Sequence, residues 1–162
     1  MQSWDTASKA EEINDYSVCT TWLVKGKDYY LRDVLRAKLN YPELRRAIIE
    51  HAQSFNVDAI VIEDKGNGTS LIQDLQYEPG IPRPIAFVPD TDKLTRMSAQ
   101  SARIEAGQVH LPQRAAWLGD FRTELLQFPH GRHDDQVDSL SQFLNWIEKP
   151  TGNRVSVQTF LV

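Results

Sequence analysis

The chain has 162 residues, with 18 Lys+Arg against 22 Asp+Glu and a formal charge of −4, which suits one domain able to bury a single core. Apolar residues at 41% exclude a disordered chain, and no apolar run approaches the ~18 residues of a membrane span, so no membrane partner is expected. One cysteine (Cys19) and an N-terminus without a basic or apolar signal segment fit a reducing cytoplasm, while the acidic total leaves only a local basic groove for nucleic acid.

In chain order, Gln2–Thr6 reads as a strand, Ala7 to Tyr16 as a polar loop and Ser17–Val24 as a second strand. After the turn Lys25-Gly26-Lys27-Asp28, Tyr29-Tyr30-Leu31 with Val34-Leu35 forms a third, giving an antiparallel meander. Pro42 then starts a helix with Leu44, Ala47, Ile48, Ala52 and Phe55 on its inner side. Asp58–Ile62 reads as a strand covered on both faces, Gly66-Asn67-Gly68 as a break and Thr69–Leu75 as a short helix. Pro84–Val88 is another buried strand, and Asp92–Glu105 a polar helix with a basic stripe, ending at Gly107. The last strong element runs from Asp134 to Glu148, with Val137, Leu140, Leu144 and Ile147 on one face and Pro150 as its stop. The expected fold is an α/β sandwich on a mixed sheet, antiparallel first and parallel afterwards, spanning residues 1–150. The tail 151–162 carries a weak alternation at Val155 and Val157 that suits an edge strand.

Acidic residues gather at element ends. Asp5 follows Trp4 in the first strand, Glu63 and Asp64 end the most apolar strand, and Asp134, Asp135 and Asp138 open the last helix. At 100° per residue, Asp135 and Asp138 lie about 60° apart and away from the apolar face. If the first strand neighbours the one ending at Glu63, these carboxylates converge at one sheet edge. Packed carboxylates repel unless a cation neutralises them, and hard divalent ions such as Mg²⁺ take such oxygen ligands. Helix-dipole stabilisation accounts for Asp134 and Asp135 equally well, whereas Asp138 and Glu63 need another reason.

Other motifs carry less. Gly66-Asn67-Gly68-Thr69-Ser70 lacks the lysine of a phosphate-binding P-loop, so no ATPase is expected in this chain. His130 and His133 lack the helical context of a zinc protease and read as solvated, although His133 adjoins Asp134. Cys19 reads as a small buried residue. Lys93, Arg96, Arg103 and Arg114 against Glu105 make residues 93–114 locally basic; the first three share one helix side, either a phosphate-contact stripe or a solvated face.

Four segments in order, Gln2-Ser3-Trp4-Asp5-Thr6-Ala7, Asp15-Tyr16-Ser17, Val61 to Gly68 with Leu71-Ile72-Gln73-Asp74-Leu75, and His133 to Leu140, resemble the nuclease domain of tailed-phage terminase large subunits. The resemblance covers about residues 2–150. It implies an RNase H-like fold with a five-stranded mixed sheet and helices on both faces. It also implies metal-dependent endonucleolytic cleavage of concatemeric double-stranded DNA during genome packaging, in the cytoplasm of a bacterial host. Carried over by residue, Asp5, Glu63 and either Asp138 or Asp135 would hold two Mg²⁺ or Mn²⁺ ions, with Asp134 in reserve. Asp15, Asp64 and His133 would stand around them, and Lys65, Lys93, Arg96 and Arg103 would contact DNA. The family's N-terminal ATPase domain has no counterpart here, so the chain looks like an excised C-terminal domain or a fragment; the resemblance implies that ATPase domain, the portal and the small subunit as partners. A junction-resolving or RNase H-like enzyme, and a non-catalytic DNA- or portal-docking module, are the alternative readings.

Overall fold

The computed structural model describes residues 1–6 and 16–149; Asp15, most of the first loop and the tail with Val155 and Val157 lie outside them. Strands β1 (Gln2–Asp5), β2 (Ser17–Lys25) and β3 (Asp28–Ala37) form the expected meander. Helix α1 (Tyr41–Ser54) leads to β4 (Ile60–Glu63), α2 (Asn67–Leu75), β5 (Ile85–Phe87) and α3 (Lys93–Glu105). A two-residue strand β6 (Val109–His110), α4 (Leu118–Gln127) and α5 (Asp135–Glu148) complete the order. The sheet runs β5-β4-β1-β2-β3-β6, with β4 parallel to β1, β5 to β4, and β6 to β3. It therefore has six strands where five were expected. The extra one is too short to carry an alternation of its own and exists through pairing with Tyr29 and Tyr30.

Side-chain alternation splits the core in two. On one face Trp4, Cys19, Ile60 and Ile62 pack with Leu44, Ile48 and Ala52 of α1 and Leu71 and Leu75 of α2. On the other, Val18, Trp22, Tyr29, Leu31 and Val34 meet Phe121 of α4 and Leu140, Phe143 and Leu144 of α5. Full burial of each such side chain is worth about 1.5–3 kcal/mol, which makes the two clusters the main source of stability. No helix among the described residues is long and apolar enough to cross a membrane.

Local signals account for the helix starts. The Asn40 side chain accepts from Glu43 N at 3.0 Å while Glu43 accepts from Asn40 N at 2.9 Å, a reciprocal cap beside Pro42. Asp92 caps α3 through Thr95 N at 3.0 Å. Phe55, expected on the inner side of α1, instead follows its last residue and is 40% exposed. The expected α5 stripe is too narrow: every residue from Gln136 to Leu144 is buried, because α5 lies between the sheet, α3 and α4.

Candidate active site

The register of the central strands brings two of the expected carboxylates together. Trp4 pairs with Ile62 across parallel β1 and β4, so one step further along both strands sets Asp5 beside Glu63. Trp4 and Ile62 point into the α1/α2 core; Asp5 and Glu63 therefore face the opposite side, where α5 lies. Gly66, at φ 55°, turns the chain after Glu63 into α2. Gly68 lies so close that a Cβ there would stand 2.0 Å from the Glu63 carbonyl oxygen. The glycine pair is thus the turn and close-approach device that lets α2 start against the strand end.

A polar seam seats α5 on β1. The Ser3 hydroxyl donates to the Ser139 carbonyl at 2.9 Å, and the Ser139 hydroxyl donates back to the Ser3 carbonyl at 2.8 Å. Thr20 N donates to the Ser139 hydroxyl at 3.2 Å, and the Gln142 amide reaches Ser3 Oγ at 3.0 Å and the Trp4 carbonyl at 3.1 Å. Small polar side chains permit a close helix–sheet approach while the hydroxyls of Ser3 and Ser139 and the Gln142 amide nitrogen each find a partner. One turn before Gln142, Asp138 is delivered to the Asp5 edge.

The start of α5 is capped from outside. Asp134 makes no side-chain cap; the buried Glu124 of α4 accepts from Gln136 N at 2.6 Å and Val137 N at 3.3 Å, and from the Gln136 amide at 2.6 Å. Asp134 and Asp135 are thereby freed from capping. The Asp134 carboxylate accepts from Lys93 Nζ at 3.0 Å.

Electrostatics shows that the acids share one field. Burial first, then Asp138, Glu63 and Asp135, push the Asp5 carboxyl well above the usual range, with Lys93 opposing them. Burial lifts Asp138 to about 6 against the pull of Lys93 and Arg96. Burial, then Glu124 and Asp134, raise Asp135, with Arg36 and Lys93 opposing. For Lys93, burial works downward but the Asp138 and Asp134 carboxylates prevail and hold the ammonium above the ordinary lysine range.

The sequence matches the model of one protein family, the terminase RNaseH-like domain, over residues 2–146. The chain belongs to that family. No curated protein matches the sequence. Among solved structures, the large terminase nuclease of thermophilic phage G20c with bound zinc is similar, with a TM-score of 0.65 at 17% identity, covering 87% of this chain and 77% of that one. The large terminase of another thermophilic bacteriophage gives 0.65 at 11% identity over 90% of this chain, which spans only 39% of that protein. The fowlpox virus resolvase in complex with Holliday junction DNA gives 0.57 at 12% identity, over 91% of this chain and 95% of that one.

In this terminase RNase H-like domain the donor chemistry fits a hard divalent cation: an all-carboxylate set in which Asp5 is pushed upward by burial and by three other acids. Among the described residues no three acidic, histidine or cysteine side chains form a ready-made cage. The two Asp138 oxygens are engaged by Lys93 and, at 3.5 Å, by Arg96. Asp64 is exposed and accepts from the Thr69 hydroxyl at 2.7 Å, so it braces the turn into α2. A concavity of about 480 Å³ lined by Gln113, Arg114, Leu118 and Arg122 includes none of the carboxylates, which lie instead along the open end of the sheet.

On α3, Lys93, Arg96 and Arg103 share a side as expected, and that side meets α5: Arg96 is buried there, whereas Lys93 stays half exposed. Arg96 is 5% exposed, donating to the Thr91 carbonyl at 2.7 Å and pairing with Asp138; Arg103 pairs with Glu148 at 3.1 Å and donates to Tyr29 Oη at 3.0 Å. Lys65 remains exposed beside Glu63. A second cationic pair, Arg36 and Lys38, which the linear sequence did not single out, lies where β2 begins and β3 ends. The Arg36 guanidinium stacks 3.7 Å from the Tyr16 ring centre, Lys38 lies 5.0 Å from it, and His133 meets the same ring edge-on at 5.6 Å. The pairing of Asp5 with Val18 and of Val18 with Arg36 puts this group at the Asp5 end of the sheet. Alternate residues of β3 and a lone tyrosine after a loop give no one-dimensional sign of it.

Proposed function

We propose that this chain is a divalent-metal-dependent endonuclease domain that cuts concatemeric double-stranded DNA during phage genome packaging. The observation that supports the reading most is the Trp4–Ile62 pairing, which ends the central strands β1 and β4 side by side at Asp5 and Glu63 with Asp138 in the same field, in a chain of the terminase RNase H-like family. Asp5, Glu63 and Asp138, with Asp135 beside them, would hold Mg²⁺ or Mn²⁺. Bound there, the ions would supply a water of lowered pKa and a counter-charge for the leaving 3′ oxygen. The chain's own residues orient the substrate: Arg36 and Lys38 on one side and Lys65 on the other offer cations to the DNA backbone. An open sheet edge suits a duplex better than a closed pocket would. The motor domain, portal and small subunit belong to this proposal as partners.

The test is nicking of supercoiled plasmid with Mn²⁺ or Mg²⁺ by the wild-type chain, Asp5→Ala and Glu63→Ala. Cleavage that both substitutions abolish, with circular dichroism unchanged, supports the reading. Intact plasmid with metal demonstrably bound favours a non-catalytic docking module. The likeness to a resolvase makes a four-way junction and an RNA–DNA hybrid the control substrates; preference for either would reassign the substrate.

A further inference from the structure

Both Asp138 oxygens are engaged by cations from α3, but the two cations are held differently. Arg96 is buried and tied to the Thr91 carbonyl, so it leaves only if the α3/α5 seam opens. Lys93 is the first residue of α3, its side chain is 50% exposed, and its ammonium bridges Asp138 and Asp134. A flexible four-carbon stem with an exposed end can move at small cost, whereas a planar buried guanidinium cannot. Asp134 is 40% exposed at its side chain and gives the ammonium a second acceptor on the solvent side.

Resting on the metal-dependent reading above, we infer that Lys93 is a tethered counter-ion. It fills the cation position at Asp138 in the metal-free protein, and an entering divalent ion displaces it onto Asp134. Arg96 stays in place and holds Asp138 in position. Asp134 is then the acceptor that receives Lys93 rather than a metal ligand. Two consequences follow from charge alone. The metal-free acids are partly neutralised, so the fold tolerates them; and each divalent ion must compete with a built-in cation, which lowers its affinity.

The experiment is calorimetric titration of Mn²⁺, without DNA, into the whole chain and into Lys93→Met and Lys93→Arg. A second measurement is mass-spectrometric acetylation of Lys93 in the wild-type chain with and without Mn²⁺. Expected are about tenfold tighter Mn²⁺ binding by Lys93→Met, near wild-type binding by Lys93→Arg, and faster acetylation of Lys93 once Mn²⁺ is bound. Equal affinity in wild type and Lys93→Met, or Lys93 labelling that Mn²⁺ leaves unchanged or slows, overturns the inference while the metal reading stands. Mn²⁺ binding to none of the three overturns both. Should Lys93→Met fail to fold, the labelling result on the wild-type chain decides.

Discussion

Lys93 and Asp138, each in the first turn of its helix, form an ion pair that joins α3 to α5 directly above the strand carrying Asp5. Two helix starts thus meet at the place where the sheet ends. Asp138, inside the first turn of α5, benefits from the positive end of that helix as well as from the two α3 cations. Even so, burial keeps it well above an ordinary aspartate. The edge is accordingly a place of stored electrostatic cost, as a cation-binding site is before its ion arrives.

Asp5→Asn removes the carboxyl that burial and three neighbouring acids destabilise most. The metal-free variant should melt higher than wild type near neutral pH while losing Mn²⁺-dependent nicking. Paired melting curves and plasmid assays check this. A variant that melts lower than wild type without metal would contradict the crowding of acids around Asp5.

The pH dependence follows from the sign of the Asp138 shift, from 3.8 to about 6. Between about pH 4 and 6 the folded chain holds more protons there than the unfolded chain, so metal-free stability falls as pH rises through the window and levels above it. Mn²⁺ selects the ionised carboxylates, so its affinity should rise over the same window and release protons. Denaturation curves at several pH values, for wild type and Asp138→Asn, should show the slope in the first and a flatter line in the second.

Gly68→Ala should be severe despite adding one methyl group. The new Cβ would stand 2.0 Å from the Glu63 carbonyl oxygen, which belongs to strand backbone and has little freedom to retreat. A loss of about 2 kcal/mol or more is expected, together with displacement of Glu63 and lower nicking. Urea unfolding measures the first effect and Mn²⁺ titration the second.

Glu124→Ala strips two backbone donors and one amide of their acceptor at the buried start of α5. Each bond to a charged group is worth about 1.5–3 kcal/mol, so the variant should be among the least stable single substitutions away from the apolar core. Hydrogen exchange at Gln136 and Val137 should accelerate first.

Arg36→Ala combined with Lys38→Ala should weaken DNA binding with little change in Mn²⁺ affinity. The slope of log K against log salt should shrink by about 0.9 for each phosphate that is no longer neutralised. Fluorescence anisotropy across a salt series reads this directly. An unchanged slope would remove the Tyr16 cluster from the DNA-binding surface.

Several elements were legible because their signals are local. The α3 start is legible at Asp92, the α1 start at Pro42 and the strand β4 in its apolar run before Glu63, and the Asp92 and Asn40 caps are the physical basis of the first two. The glycines after Glu63 announced a break, and Gly66 at positive φ makes it; that Gly68 packs against the Glu63 carbonyl was visible only in the fold. The basic side of α3 was legible as a side. Its direction was not, since helical spacing tells which residues face together and never what they face. Phe55 shows the same limit, an apolar residue at helical spacing that falls just past the helix end.

By itself, the sequence determined where α1, α3 and α5 start, though not that α4 exists, and which acids stand at element ends, because these depend on backbone periodicity and on neighbours a few positions away. Tertiary structure alone decided that Arg96 would be buried against Asp138, that Glu124 would cap α5 and that Tyr16, Arg36 and Lys38 would gather beside Asp5. Most of those contacts join residues far apart in the chain. Their energy depends on burial and on which charges the completed fold sets side by side, and neither exists in the unfolded chain.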